Sequence, residues 1–162
     1  MRGKGIGIAL SSLLVLGLAA PSAAQELPPK LRTLVQELKG DAESKNQVNR
    51  TQQGNFYFKW LQQAPEKWDK AYFKMGELSK GVRFLSLQLI RKTQQGVEML
   101  VLNDQQFDLL VEEAYKGAGK SISDADKNIQ YNTAKAKVPL TPEMSAWFSE
   151  MVEELKWELR QK

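Results

Sequence analysis

The 162-residue chain has no cysteine and no histidine. Without cysteine there is no disulfide to staple the fold and no thiol to carry a diacylglycerol anchor. Stability must come from packing, and that burden falls on four Trp, six Phe and four Tyr. The double absence excludes Ser-His-Asp and Cys-His catalysis, the usual zinc sites and histidine-ligated haem. Long apolar runs are also scarce. The longest, Ile6 to Ala20, is about 15 residues and is interrupted by Gly7, Gly17 and two serines, short of the ~20 that a membrane-spanning helix needs.

That run has a different use. Arg2 and Lys4, the apolar stretch and then Pro21-Ser22-Ala23-Ala24 form the basic, apolar and small-residue order of a Sec-type signal peptide, with cleavage expected after Ala24. The leader takes two of the 23 basic residues and none of the 19 acidic ones, leaving 21 against 19. The mature chain is therefore nearly neutral, and no general affinity for nucleic acid or anionic membrane follows from the sequence pI of 9.2. The expected product is periplasmic or extracellular, with no stable membrane anchor after cleavage. A hydrophobic content of 42% over this length suits one core. The organisation reads as a signal peptide over 1–24, an N-terminal helix and polar linker over 25–54, and a single α+β domain over 55–162.

After Pro28-Pro29, the residues Leu31, Leu34, Val35 and Leu38 fall on one face and predict a short helix over 30–39, ended by Gly40. The segment 41–54 is polar and reads as a linker or a solvated helix. Its Asn49-Arg50-Thr51 triplet matches the glycosylation pattern, which is common by chance. From Asn55, Phe56, Phe58 and Trp60 alternate with Tyr57, Lys59 and Leu61, as in a strand, although helical spacing also fits. Residues 65–80 read either as a helix opened by Pro65 or as a strand over 71–78. The alternation sharpens over 82–102 into a hairpin turning at Thr93-Gln94-Gln95-Gly96. Asn103 and Asp104 then suit a helix cap, and Phe107, Leu110, Val111, Ala114 and Tyr115 predict a helix near 104–116 stopped by Gly117 and Gly119. Residues 120–137 read as a polar loop. Thr141-Pro142-Glu143 opens a last helix near 142–160 that buries Met144, Trp147, Phe148, Met151, Leu155 and Leu159. The fold class is α+β: an antiparallel sheet that contains the 82–102 hairpin, with four strands in all if counted from 55, packed against the helices near 104–116 and 142–160, with the short N-terminal helix near 30–39.

Few motifs carry chemistry. Glu112-Glu113 and Glu153-Glu154 would point about 100° apart on helices, so neither pair shares a proton. Gly119-Lys120-Ser121 imitates the end of a phosphate-binding loop, but the glycine required five residues earlier is Ala114. Asp124-Ala125-Asp126-Lys127-Asn128 imitates the start of a calcium loop, yet its sixth and twelfth positions are Ile129 and Lys135. Neither cofactor nor metal is implied, and the chain reads as non-catalytic.

Charge is distributed unevenly. Basic residues gather over 59–92, whereas Glu98 to Glu113 holds five acidic residues and no basic one. Basic side chains interleaved with aromatics suit a sheet that stacks bases and holds phosphates, which makes Tyr57, Lys59, Lys70, Tyr72, Lys74, Arg83 and Arg91 a candidate binding face. With 55–78 read as two strands, the order ββββα and the Leu102-Asn103-Asp104 junction with Phe107 resemble the layout of the positive-cofactor, PUR and Whirly class of single-stranded nucleic-acid binders. The resemblance covers about 60 residues, is one of layout, and transfers no functional residues. The expected function is an exported, non-catalytic binding or interaction protein whose partner is a protein or small ligand. Single-stranded nucleic-acid binding is the alternative.

Overall fold

The computed structural model describes residues 26–161, so the signal-peptide reading and the Ala24 cleavage site lie outside the described residues. Seven strands form one antiparallel meander in chain order, β1 (Val48–Arg50), β2 (Gly54–Trp60), β3 (Lys70–Leu78), β4 (Arg83–Thr93), β5 (Gly96–Asp104), β6 (Glu113–Gly119) and β7 (Lys137–Val138). Helices α1 (Pro29–Ser44), α2 (Ile122–Tyr131), α3 (Thr133–Ala136) and α4 (Pro142–Leu159) complete an α+β fold.

Strand alternation gives the sheet two faces, and both are buried. The first carries Tyr57, Phe73, Met75, Leu85, Leu87, Leu89, Leu100 and Leu102 and packs with α1 and α4 in one core. Phe73 meets Phe148 of α4 edge-on at 5.9 Å, and Trp68 meets Trp147 at 5.7 Å. The second face carries Phe56, Phe58, Tyr72, Phe84, Ile90, Met99, Val101 and Tyr115 in a separate core with Ala125 and Ile129 of α2.

The central hairpin forms as its pattern predicts, with Thr93 opposite Gly96 around a two-residue turn. Residues 55–60 and 71–78 both resolve as strands rather than helices, because each has large side chains on both faces of the sheet. The last helix also forms as expected: the Thr141 hydroxyl accepts the Met144 N–H at 3.2 Å, and Phe148, Met151, Leu155 and Leu159 are buried. Trp147 is only partly buried.

Four expectations are corrected. Gly40 does not end α1, which runs on to Ser44, because Asp41 and Ala42 in the following turn are buried. A glycine on the open side of a helix weakens it by about 1 kcal/mol, less than that turn gains by docking. The segment 41–54 is not a linker: it contains the end of α1, all of β1 and a tight turn in which the Thr51 hydroxyl accepts the Gln53 and Gly54 N–H groups. The predicted helix near 104–116 is instead a loop followed by β6. Both Asp104 carboxylate oxygens accept N–H groups, from Asp108 at 3.1 Å and Leu109 at 2.7 Å, and Phe107 and Leu109 take positive φ of 52° and 68°. The chain reverses there, so Ala114 and Tyr115 face opposite cores, while Leu110 is 66% exposed. Finally, 120–137 is not a loop: Ser121 caps α2 by accepting the Asp124 N–H at 3.1 Å.

Gly117 and Gly119 accordingly stop no helix. They let α2 lie directly on β6, since a Cβ at Gly117 would meet Ile129 Cγ1 at 2.5 Å and one at Gly119 would meet the Ala125 nitrogen at 2.6 Å. With β5 leading into β6, the ββββα layout of the single-stranded nucleic-acid binders is not formed.

Candidate functional site

The seven residues of the candidate binding face do not share a face. Alternation and register put Tyr57, Lys59, Arg83 and Arg91 on the first face, and Lys70, Tyr72 and Lys74 on the second. Most are interior or engaged. Tyr57 and Tyr72 are core residues, and the Tyr72 ring packs on Trp60 at 4.5 Å and Phe58 at 6.3 Å. Arg83 pairs with Glu77 at 2.7 Å. Arg91 pairs with Glu98 and lies over the Trp68 ring at 4.4 Å. The two arginines stand near opposite ends of β4, so their charged heads reach past Leu85, Leu87 and Leu89 of the same face. Lys70 is exposed.

The two remaining lysines are buried on neighbouring strands and opposite faces. Lys59 lies between Asp41 of α1, at 3.5 Å, and Glu158 of α4, at 3.7 Å. Asp41 also holds Lys45 at 2.9 Å, and Glu158 accepts the Gln62 N–H at 2.8 Å. One strand lysine thus ties both first-face helices to β2. Beside it, the hydrogen bond that protonated Glu154 donates to Glu158, and then burial, push Glu154 up to about 7.

Lys74 sits at the centre of β3 on the second face, between Phe58 and Ser86 in register, its Nζ 5.8 Å from the centre of the Phe84 ring. Burial pushes its pKa down to about 7, against the pull of Asp126 on α2. Burial pushes Asp126 up to about 7, against Lys74 and a hydrogen bond from Gln130. Next to Lys74 a polar row crosses the sheet: Gln88 Nε2 donates to Ser86 Oγ at 2.7 Å, and Ser86 Oγ donates to Asn103 Oδ1 at 2.7 Å. Gln88 Oε1, Asn103 Nδ2 and Asp126 Oδ1 are buried with no hydrogen-bond partner. Unpartnered buried polar atoms of this kind are uncommon in folded proteins and call for a physical explanation.

This row places a serine beside a lysine of lowered pKa, the ingredients of a Ser-Lys nucleophile. The hydroxyl proton is nevertheless directed to Asn103, and Ser86, Lys74 and Asp126 are each exposed by 1% or less. A nucleophile must reach its substrate, and this one is enclosed.

Two other arrangements offer chemistry. Asp104, Asp108 and Glu112 bring carboxylate oxygens within 4.8 Å of one another in the loop after β5. Burial pushes Asp104 up to about 8 despite its two N–H bonds, and burial raises Glu112 as well. Asp104 therefore retains its proton near neutrality, and Glu112 accepts the Gln105 N–H at 2.6 Å, so these groups clamp the loop. The second arrangement is a groove of about 640 Å³ along the outer flank of α1. Leu27 and Val35 form its floor, Arg32, Lys39 and Glu43 follow the helix, and Arg83 faces them from the start of β4. Two of the lining cations, Lys39 at 3.0 Å and Arg83, donate to Glu77; burial raises its pKa, but these two cations outweigh it and hold Glu77 below the usual range.

The imitations of phosphate and calcium loops have structural roles. Gly119-Lys120-Ser121 ends β6 and caps α2, and Asp124 to Asn128 lie inside α2 rather than in a ligand loop. The pattern gives no sign of Asp41, Asp126 or Glu158, because each is one acid among other polar residues of its segment. The lysines carried a readable signal: "FYFKW" and "AYFKM" place large side chains on both faces, so both faces are covered and the lysine between them is buried. Among the described residues, no helix is long and apolar enough to cross a membrane. No family model, curated protein or solved structure matches this chain.

Proposed function

We propose that this chain is an exported, non-catalytic binding protein, periplasmic or extracellular after cleavage near Ala24, that takes a small ligand with an apolar body and polar ends in the groove along α1. The observation that carries the reading is the groove itself. Its volume of about 640 Å³ lies in the range of small-molecule sites, and it joins an apolar floor to convergent charged groups from two elements. The bridge from Lys39 and Arg83 to Glu77 holds those elements at a fixed separation, so the groove is pre-formed. Support for a non-catalytic role comes from Ser86, whose hydroxyl donates to Asn103 rather than to Lys74. Support for export comes from the order of Arg2, Lys4, the apolar run and Pro21-Ser22-Ala23-Ala24.

A thermal-shift panel of small amphipathic acids, amines and zwitterions, run on the chain beginning at Gln25, tests the binding reading. A ligand that raises the melting temperature of the parent and loses that effect in Arg32→Ala/Arg83→Ala supports it. Full retention by the double variant overturns the site. Salt-sensitive binding of labelled single-stranded DNA or RNA overturns the small-ligand reading, because phosphate contacts weaken steeply with salt. Export is tested by N-terminal sequencing of the product, which is expected to begin at or near Gln25.

A further inference from the structure

Second-face polarity is concentrated on β3, β4 and β5, beside the strands β5 and β6 on which α2 lies. Lys74, Ser86, Gln88 and Asn103 form a band across three strands whose neighbours, Phe58, Phe84, Met99, Val101 and Tyr115, are apolar or aromatic. The band is incompletely satisfied, with Asn103 Nδ2 a donor and Gln88 Oε1 an acceptor without partners. The acid that reaches it, Asp126, comes from α2, and one of its oxygens also lacks a partner.

The side-chain attachment of α2 is slight, although its backbone lies close on β6. Of its apolar side chains, only Ala125 and Ile129 are fully buried, against Phe148, Met151, Val152, Leu155 and Leu159 in α4. The segment re-enters the sheet through β7, two residues paired only at Ala114–Val138 and Tyr115–Lys137. Elements with few buried apolar contacts are the ones that open locally.

We propose that this polar band is a recognition site for the carboxylate of an amphiphilic ligand, and that α2 is a displaceable plug whose Asp126 stands in for that carboxylate. With α2 lifted, the Lys74 ammonium and the Asn103 amide face a single acceptor, and the surrounding rings cover an apolar tail. The site is separate from the α1 groove, which lies at the other face of the sheet.

The test uses cis-parinaric acid, a fluorescent long-chain carboxylate, with its methyl ester as control. The wild-type protein is expected to bind the acid saturably and the ester at least tenfold more weakly. Asp126→Ala removes the internal competitor and is expected to tighten binding about tenfold, while Lys74→Met weakens it at least tenfold. Should Lys74→Met fail to fold by circular dichroism, Asn103→Leu, which keeps the ammonium, is expected to weaken binding several-fold. Arg32→Ala/Arg83→Ala, which alters the groove, leaves the affinity unchanged. The proposal is overturned if the ester binds as well as the acid, if Asp126→Ala binds no tighter than wild type, or if neither protein binds the acid.

Discussion

Lys74 and Asp126 make opposite contributions to the pH dependence of stability, and together they place a minimum near neutrality. Burial holds Asp126 at about 7 in the folded chain, against 3.8 for an unperturbed Asp. Between those values the folded state keeps a proton that the unfolded state has lost, so stability falls as pH rises from about 4 to 7. Lys74 is held down to about 7 from 10.5. Between about 7 and 10.5 the unfolded state keeps a proton that the folded state has lost, so stability rises with pH. One proton corresponds to about 1.4 kcal/mol per pH unit, which gives each limb a depth on the order of 4 kcal/mol. Asp104 and Glu154 are also raised and deepen the acid limb, so the variants isolate the pair. Relative to wild type, Asp126→Asn is expected to gain stability progressively from pH 4 to 7, and Lys74→Met is expected to lose the rise above pH 7. In Asp126→Asn, Lys74 loses the charge that favours its protonated form, so the alkaline limb begins at lower pH. Urea unfolding followed by tryptophan fluorescence from pH 4.5 to 10 measures all three proteins. A stability difference between wild type and Asp126→Asn that stays within about 0.5 kcal/mol across that range, well below the limb depth set by one proton per pH unit, refutes the reasoning.

Phe148→Ala removes a ring that is 1% exposed and packed edge-on against Phe73, and should destabilise by about 3–5 kcal/mol in urea; the half-buried Trp147 should lose less. Lys59→Met leaves the Asp41 and Glu158 carboxylates buried without their shared cation, a loss of about 3–5 kcal/mol, and adding Asp41→Asn with Glu158→Gln should recover much of it. Gly117→Ala drives a methyl to 2.5 Å from Ile129 and 3.0 Å from the Ala125 carbonyl oxygen. It should cost about 1–3 kcal/mol and accelerate amide exchange throughout α2 while leaving α4 protected.

The regular parts of this fold are legible wherever one physical signal dominates. Alternation specifies the β4–β5 hairpin, and Thr141-Pro142-Glu143 followed by the apolar stripe specifies α4. The segment 103–119 misleads because Asp104 offers the same chemistry to two geometries. Its carboxylate accepts N–H groups at either a helix start or a tight loop, and here it takes those of Asp108 and Leu109, four and five residues on. What decides against a helix is distant: Asn103 and Glu112 close the β5–β6 ladder, and α2 needs a flat strand with Gly117 and Gly119 beneath it. Helix α2 itself has only Ile122, Ala125 and Ile129 to mark its buried side, too few to separate a helix from a loop. The candidate binding face fails for a related reason. Basic and aromatic residues on a one-sided sheet make a surface, but the same residues on a two-sided sheet make a core with ion pairs.

The positions of Lys59 and Lys74 also bear on how a simple meander avoids misalignment. In register, Phe58 opposes Lys74 and Lys59 opposes Phe73, so each lysine is paired with an aromatic residue across the strand. Sliding β2 by one residue against β3 would turn Lys59 to the second face, away from Asp41 and Glu158, and put Phe58 in its place between two carboxylates. Both consequences are costly, since a buried cation would lose its partners and two buried acids would lose their cation. Apolar residues alone do not impose this, because Phe56, Tyr57, Phe58 and Trp60 would present large rings to either core. The acids add a second constraint: Asp41 and Glu158 lie on the helices of the first face, and Asp126 on the helix of the second. Each lysine therefore identifies the helical layer that belongs on its side of the sheet. Burial opposes this arrangement and lowers the pKa of Lys74, yet the arrangement is favoured over its alternatives because each of them strands a charge.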